Sequence, residues 1–350
     1  MKPLQLLIGL LLFLAFNCKT QKPTTDSNLV FRDLINPKDY PNIDGIIVAH
    51  NNEIIIEEYF NGFDKDQLHQ TRSSFKSITS ILAGIAIDQG LFSVEDEIDK
   101  FITEWKNDPR GKIKVKDLLE MRSGLACENF FDVGPDCESE MYDTDDWLGY
   151  ILNIPLRYEP GQQWEYSSME PDLAGIIISR SSNMTLMDFA DQYLFSPLGI
   201  ETCEWEITPD GRGYAAGSSS MKPIDMLKIA ALIANKGHWN GTQVVSESWI
   251  NESTNCTIHV DMSFLYWSGM KNVDSASARY GYLWYRELLS YQDIKTDVLF
   301  ASGNGGQYMM ILEDYDAVVA FTGSNYGNWK GKLPFKILLK HIIPILEDNE

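Results

Sequence analysis

Apolar and polar positions along this chain fall into blocks of different period. From Asp44 to Gly62 the run DGIIVAHNNEIIIEEYFNG is β-branched and apolar on both sides of Asn51-Asn52, which predicts two strands joined by a tight turn. The run YMMILEDYDAVVAFTG, from Tyr308 to Gly323, repeats that design around Glu313 to Asp316. Between them, from roughly Val94 to Lys236, helical signals dominate. Thr185 and Asp188 form a capping-box pattern ahead of Phe189, Ala190 and Leu194, and Pro223 suits a first helical turn, with Gly237 to end that helix. Near the C-terminus Pro334 opens another helix whose apolar face is Phe335, Leu338 and Ile342. These blocks predict an α/β (α+β) domain. Four antiparallel strands from the two chain ends share a sheet flanked by helices, and a mostly helical region, about residues 94–236, is inserted between them.

The first residues have a different character. Lys2 precedes an apolar run from Leu4 to Phe16 that ends at Cys18, too short to span a membrane comfortably and shaped like an export signal. Residues 1–17 are read as a signal peptide, 18–28 as a polar tether and 29–350 as the folded domain. Composition supports a packed core, with 44% hydrophobic and 12% aromatic residues. A net charge of -21 argues against a nucleic-acid partner, because a polyanion would be repelled, and is read as a solubility trait. Beyond Cys18 the cysteines are Cys127, Cys137, Cys203 and Cys256. Cys127 and Cys137 flank a short loop with Gly134 and Pro135 and are the favoured pair, with free buried thiols as the alternative. The histidines, His50, His69, His238, His259 and His341, are scattered without metal-ligand spacing, and no metal or cofactor is expected.

The segment from Thr71 to Gly90 carries the candidate chemistry. Phe75, Ile78, Leu82 and Ile85 recur at helical spacing, so a helix starts near Ser73 and stops at Gly90. Slightly under one turn separates Ser73 from Lys76, and the hydroxyl and the amine project from one face. A serine at a helix start also has free backbone N–H groups and the positive dipole end beside any oxyanion formed on its substrate. Serine needs a neighbour to take its proton, and lysine can serve if its neutral form is favoured.

Together with motifs further along the chain, these residues resemble the β-lactamase and penicillin-binding-protein family, including its class C, family VIII esterase, D-aminopeptidase and 6-aminohexanoate-dimer-hydrolase branches. Ser73-Ser74-Phe75-Lys76 matches the family's S-x-x-K, and Tyr166-Ser167-Ser168 after Pro160-Gly161 matches its Y-x-N or Y-x-S motif. DLLEMRSGL from Asp117 to Leu125, and then LFSPLGI, MKPIDMLKIAALIANKGHW and YGYLWY, look like family segments in the expected order. The resemblance implies an acyl-serine hydrolase with Ser73 as nucleophile, Lys76 and Tyr166 sharing the base role, and Ser168 hydrogen-bonding beside Lys76. A phenol next to an ammonium has a stabilised phenolate, so the two can pass one proton between them. The N-terminus resembles a bacterial lipoprotein signal, implying lipid on Cys18 and residence in the periplasm or envelope; plain secretion and an uncleaved anchor are the alternatives.

The family's third motif, Lys-Thr-Gly or His-Thr-Gly, is replaced by Ala301-Ser302-Gly303. Asn304 is the candidate for a second oxyanion amide beside that of Ser73, with Ser302 and Gly303 lining the substrate. Ala301 takes the place of a lysine that in β-lactam-directed relatives helps hold the substrate carboxylate, which argues against carboxylated β-lactams unless Arg72, Lys222 or another distant cation enters the cleft. The expected partner is a small or peptide-like amide or ester. The competing readings are a β-lactamase or D-Ala-directed peptidase and a non-catalytic wall-binding relative. An α/β-hydrolase is set aside because no G-x-S-x-G occurs.

Overall fold

A computed structural model describes residues 31–127, 136–271, 273 and 277–348. The expected leader, Cys18 and the tether lie outside the described residues. The first predicted pair of strands is β1 (Ile43–His50) and β2 (Glu53–Tyr59), turning at Asn51 and Asn52, whose φ values of 51° and 64° give the mirror-type turn that suits a twisted hairpin. The helix predicted after Ser73 is α1 (Phe75–Asp88). The helical region includes α2 (Cys137–Tyr142), α3 (Met169–Ser182) and α4 (Pro223–Ala234). The chain then returns to the sheet as β3 (Tyr285–Tyr291), β4 (Ile294–Gly303), β5 (Gln307–Leu312) and β6 (Ala317–Gly323).

The sheet runs in the order β2, β1, β6, β5, β4, β3, followed by the short strands Arg279–Tyr280 and Ile258–His259, and every pairing is antiparallel. The two ends of the chain meet where β1 pairs with β6, from Gly45 opposite Thr322 to His50 opposite Ala317. Every residue of β5 and β6 is buried. Alternate side chains of a strand point to opposite faces, so both faces must be covered. Helix α4 lies along β1, β5 and β6. The helical residues 333–347 bring Phe335 edge-on to Phe300 and Tyr308 at ring separations of 5.1 Å.

Helix α1 is buried all round from Phe75 to Ala86 rather than on one stripe. It is wedged between the sheet and the helical region, and its polar face bonds to backbone carbonyls: Ser77 Oγ donates to Leu283 O at 2.6 Å and Thr79 Oγ1 to Ala215 O at 2.6 Å. Those bonds fix the start of α1 against two loops at once.

Candidate active site

Ser73 lies in a 3-10 turn, Arg72–Ser74, that runs directly into α1. Arg72 adopts a φ of 49°, a left-handed conformation that costs a non-glycine residue on the order of 1 kcal/mol and sits immediately before the serine. Two anchors hold the turn. Thr71 N and Thr71 Oγ1 both donate to Ser219 O, at 2.8 and 2.7 Å. Upstream, the strand His69–Gln70 is fastened by buried His69, whose Nε2 is 3.0 Å from Asp44 Oδ2. Burial would push the Asp44 carboxyl up, but hydrogen bonds with His69, Ser324 and Asn61 outweigh it and hold the group below its ordinary range. This serine, histidine and aspartate are not a catalytic triad, because Ser324 donates to the aspartate instead of facing the imidazole.

Lys76 is buried and its ammonium makes three bonds, donating to Ser73 Oγ at 3.2 Å, Ser168 Oγ at 3.0 Å and Ala216 O at 2.5 Å. The amine nitrogen thus sits against three oxygens, one of them the hydroxyl of Ser73, the nucleophile expected from the sequence. The Lys76 Nζ lies 5.3 Å from the centroid of the Tyr166 ring. Ser73, Lys76, Tyr166 and Ser168, predicted from segments more than ninety residues apart, are thus brought together.

The end of β4 closes the site. A Cβ on Gly303 would lie 2.3 Å from Thr71 O and 3.2 Å from Arg72 Cβ, so only glycine lets the strand approach the serine turn this closely. Ser302, Gly303 and Asn304 line a cavity of about 620 Å³ together with Ser73 and Tyr166. Ala301 does not line it: strand alternation turns its side chain into the core, where it is fully buried. A second cavity, of about 330 Å³, also opens on Ser73, and the two have Ser73, Glu138 and Asn304 in common.

Charges on the walls were not legible in the sequence motifs. Lys332 lines the larger cavity, with its Nζ 4.2 Å from the Phe264 ring centroid. Burial lowers its ammonium to about 7, against the attraction of Glu287. Of the cations that the sequence left open, Arg72 lines the smaller cavity and Lys222 lines neither, and the distant cation in the larger cavity is Lys332, from the turn before the last helix. Lys222 instead pairs with Asp66 at 3.1 Å. Carboxylates line both cavities, Asp136 and Glu138 the larger and Glu138 and Glu206 the smaller. Glu138, in the first turn of α2, accepts from Tyr214 OH at 2.8 Å, and Glu206 lines the smaller cavity, its carboxyl raised by burial and eased down by Ser218 and Arg72. Cys137 is bridged to Cys127, Cα to Cα 5.7 Å, so the favoured disulfide is formed and fixes where α2 begins. Ser167, between Tyr166 and Ser168, reaches the same bridge, with its Oγ 3.7 Å from Cys127 Sγ.

Behind Tyr166 lies a further acid that no motif announced. Glu170 is fully buried in α3, Ser123 Oγ donates to its Oε1 at 2.7 Å, and burial lifts its carboxyl to about 7 despite hydrogen bonds from Ser123 and Ser167. The folded chain therefore keeps a proton that the unfolded chain releases from about 4.5 upward. Stability from this group is intact below the unfolded pKa, falls as pH rises through the window from about 4.5 to about 7, and is flat above it, a total of roughly 3 kcal/mol. Glu170→Gln retains an acceptor for Ser123 and removes the ionisation. Its melting temperature is expected to exceed that of the unmodified protein at about pH 8 and to converge with it near pH 5; parallel profiles would refute the assignment.

The sequence profile described as Beta-lactamase matches residues 42–333. A 6-aminohexanoate-dimer hydrolase from Paenarthrobacter ureafaciens is 24% identical over 220 residues, which cover 59% of this chain and 56% of that protein. The match thus spans about half the length of that relative. Among solved structures, a penicillin binding protein from Bacillus halodurans superposes with a TM-score of 0.66 at 13% identity, covering 87% of this chain and 98% of the other. A class C beta-lactamase mutant gives 0.61 at 13% identity, covering 89% and 95%. At such identities the structural likeness speaks for the fold.

Proposed function

The chain belongs to the Beta-lactamase family, and on that premise we propose that it is a serine hydrolase that cleaves an amide or ester bond through an acyl-enzyme on Ser73. The observation that carries the reading is the buried Lys76 amine nitrogen held at once against Ser73 Oγ and Ser168 Oγ, at the edge of a cavity that Tyr166 also lines. In the first half-reaction Ser73 Oγ bonds to the substrate carbonyl carbon while its proton passes to the Lys76–Tyr166 pair. The backbone N–H groups of Ser73 and Asn304 receive the oxyanion. The same proton then goes to the leaving nitrogen or oxygen as that bond breaks. Water repeats the sequence on the acyl-enzyme, giving the acid and restoring Ser73. Kinship with a hydrolase named for an aminohexanoate dimer favours an amide.

A fluorophosphonate probe is expected to add its mass to the peptide containing Ser73. The purified protein should then turn over at least one member of a panel of p-nitrophenyl esters, nitrocefin, D-amino-acid amides and aminohexanoate dimers. Absence of both labelling and turnover in a folded sample would favour a non-catalytic wall-binding protein.

We propose export as well, from the apolar run that ends at Cys18 and the polar tether behind it. Mass spectrometry of the membrane fraction should find a chain lacking residues 1–17 with lipid on Cys18. A soluble cleaved form would indicate plain secretion, and an intact N-terminus in the cytosol would contradict export.

A further inference from the structure

We infer that Gln307 is a positioning residue of the reaction: its buried side-chain amide, together with the side chain of Asn304, braces the turn from Gly303 to Gly306 so that the Asn304 N–H is held for the oxyanion. This rests on the acyl-serine reading and deepens it, since Gln307 lines neither cavity and acts only through the turn.

A donor stabilises a developing charge most when it is already in place, because one that must swing in loses part of its effect to its own ordering. Asn304 belongs to a turn with little of its own to keep it still. It directly follows β4 and lines both cavities, and its N–H meets no acceptor among the described residues. The next two residues, Gly305 and Gly306, have φ values of 97° and 108°, where glycine alone is at ease and where it also has the most freedom to lose. The backbone bond across the turn, from Gly306 N to Gly303 O, is long at 3.3 Å.

What fixes the turn comes from its surroundings. Gln307 opens β5, pairs with Gly303 across the sheet and is fully buried. Its Nε2 donates to Asn304 O at 3.3 Å and also to Gly323 O, while its Oε1 accepts from Gly323 N at 3.2 Å. Both amide hydrogens and the amide oxygen are thus used, and two carbonyls at one end with an N–H at the other fix which way the group is turned. The Asn304 carbonyl is thereby tied to the end of β6. On the other side of Asn304, Gly303 is pressed against Thr71, so the peptides before and after Asn304 are both anchored. The Asn304 side chain adds a second brace, with Oδ1 accepting from Gly327 N at 2.9 Å, and Asn325 N donates to Gly305 O at 3.0 Å. The rest of β5 is Tyr308, Met309, Met310, Ile311 and Leu312, so a buried amide is out of character there, and the three bonds to the turn and to β6 are what offset its desolvation.

The test uses two variants. Gln307→Met fills much of the same volume and removes all three bonds. Asn304→Ala removes only the tie to Gly327, keeps the backbone N–H and changes an exposed side chain, so its folding is not at stake. Each is compared with the unmodified protein on a p-nitrophenyl ester and on the matching thionoester, in which sulfur, a weak acceptor, replaces the carbonyl oxygen. On the oxygen ester kcat should fall by about tenfold to a hundredfold, less than the loss of a whole oxyanion donor, with KM changed by no more than about twofold. The thionoester draws little from the donors and should slow far less, so the preference for oxygen over sulfur shrinks by nearly the same factor. Fluorophosphonate, whose phosphoryl oxygen takes the oxyanion's place, should label Ser73 correspondingly more slowly. Labelling of the folded variants at the unmodified rate, or equal slowing of the two esters, would overturn the inference and leave the hydrolase reading standing. Failure of the label to react with the unmodified protein would instead overturn that reading, and this inference with it.

Discussion

Ser73→Ala is expected to abolish turnover, by about 10⁴ to 10⁶ in rate, while the protein still unfolds cooperatively at close to its original temperature. The substitution removes the oxygen that attacks and almost nothing that packs. Ser73 is partly buried at the cleft, its Oγ lies against Lys76 Nζ, and the turn around it is held by Thr71, not by the serine side chain. The residual rate would come from binding and from the two backbone amides, which the variant retains. Substantial activity in the folded variant, measured on the best substrate of the panel, would remove Ser73 from the mechanism.

Lys76→Met is expected to cost about 10² to 10⁴ in rate, the usual contribution of a positioned general base. Methionine fills much of the same volume, so the loss reports the amine. Stability should also fall, by roughly 1 to 3 kcal/mol, since Ala216 O and Ser168 Oγ lose a buried donor. Tyr166→Phe should slow the reaction by a comparable factor. If Lys76 and Tyr166 hand on one proton, the double variant will be little slower than the worse single one. Losses that multiply would mean that the two side chains act in separate steps.

How far the sequence could reach depended on the distance over which each signal is written. Ser73 and Lys76 were legible because one helical turn places them together whatever the rest of the chain does, and the hairpin at Asn51-Asn52 was legible because its turn chemistry is local. Thr185 capped the predicted helix, accepting from Asp188 N at 3.0 Å, for the same reason. Tyr166 and Ser168 needed the ordered set of motifs, since nothing in their own segment says that they will face Lys76. Ser302 and Asn304 were located by that order too, but which residues of β4 face the cleft is decided by strand parity, and parity puts Ala301 in the core. Lys332, Glu138, Glu206 and Glu170 were missed because their roles arise from tertiary placement alone. Glu138 had one clue in its neighbour Cys137, already expected to be bridged. The overall acidity, read as a solubility trait, could not reveal that some of it lines both cavities at Ser73.

The pairing of β1 with β6 has a consequence for the order of events in folding. Strand β1, next to the edge of the sheet and made early, finds its second neighbour in a strand synthesised near the end of the chain, so the nascent hairpin waits with one edge open while the whole helical region is made. Contacts of such long sequence separation demand a large loss of chain entropy before they return any stabilisation, which places this domain among slow folders and keeps its edge available to other chains meanwhile. Dilute conditions or a holdase chaperone should therefore raise the yield of refolding far more than they alter the stability of the finished molecule.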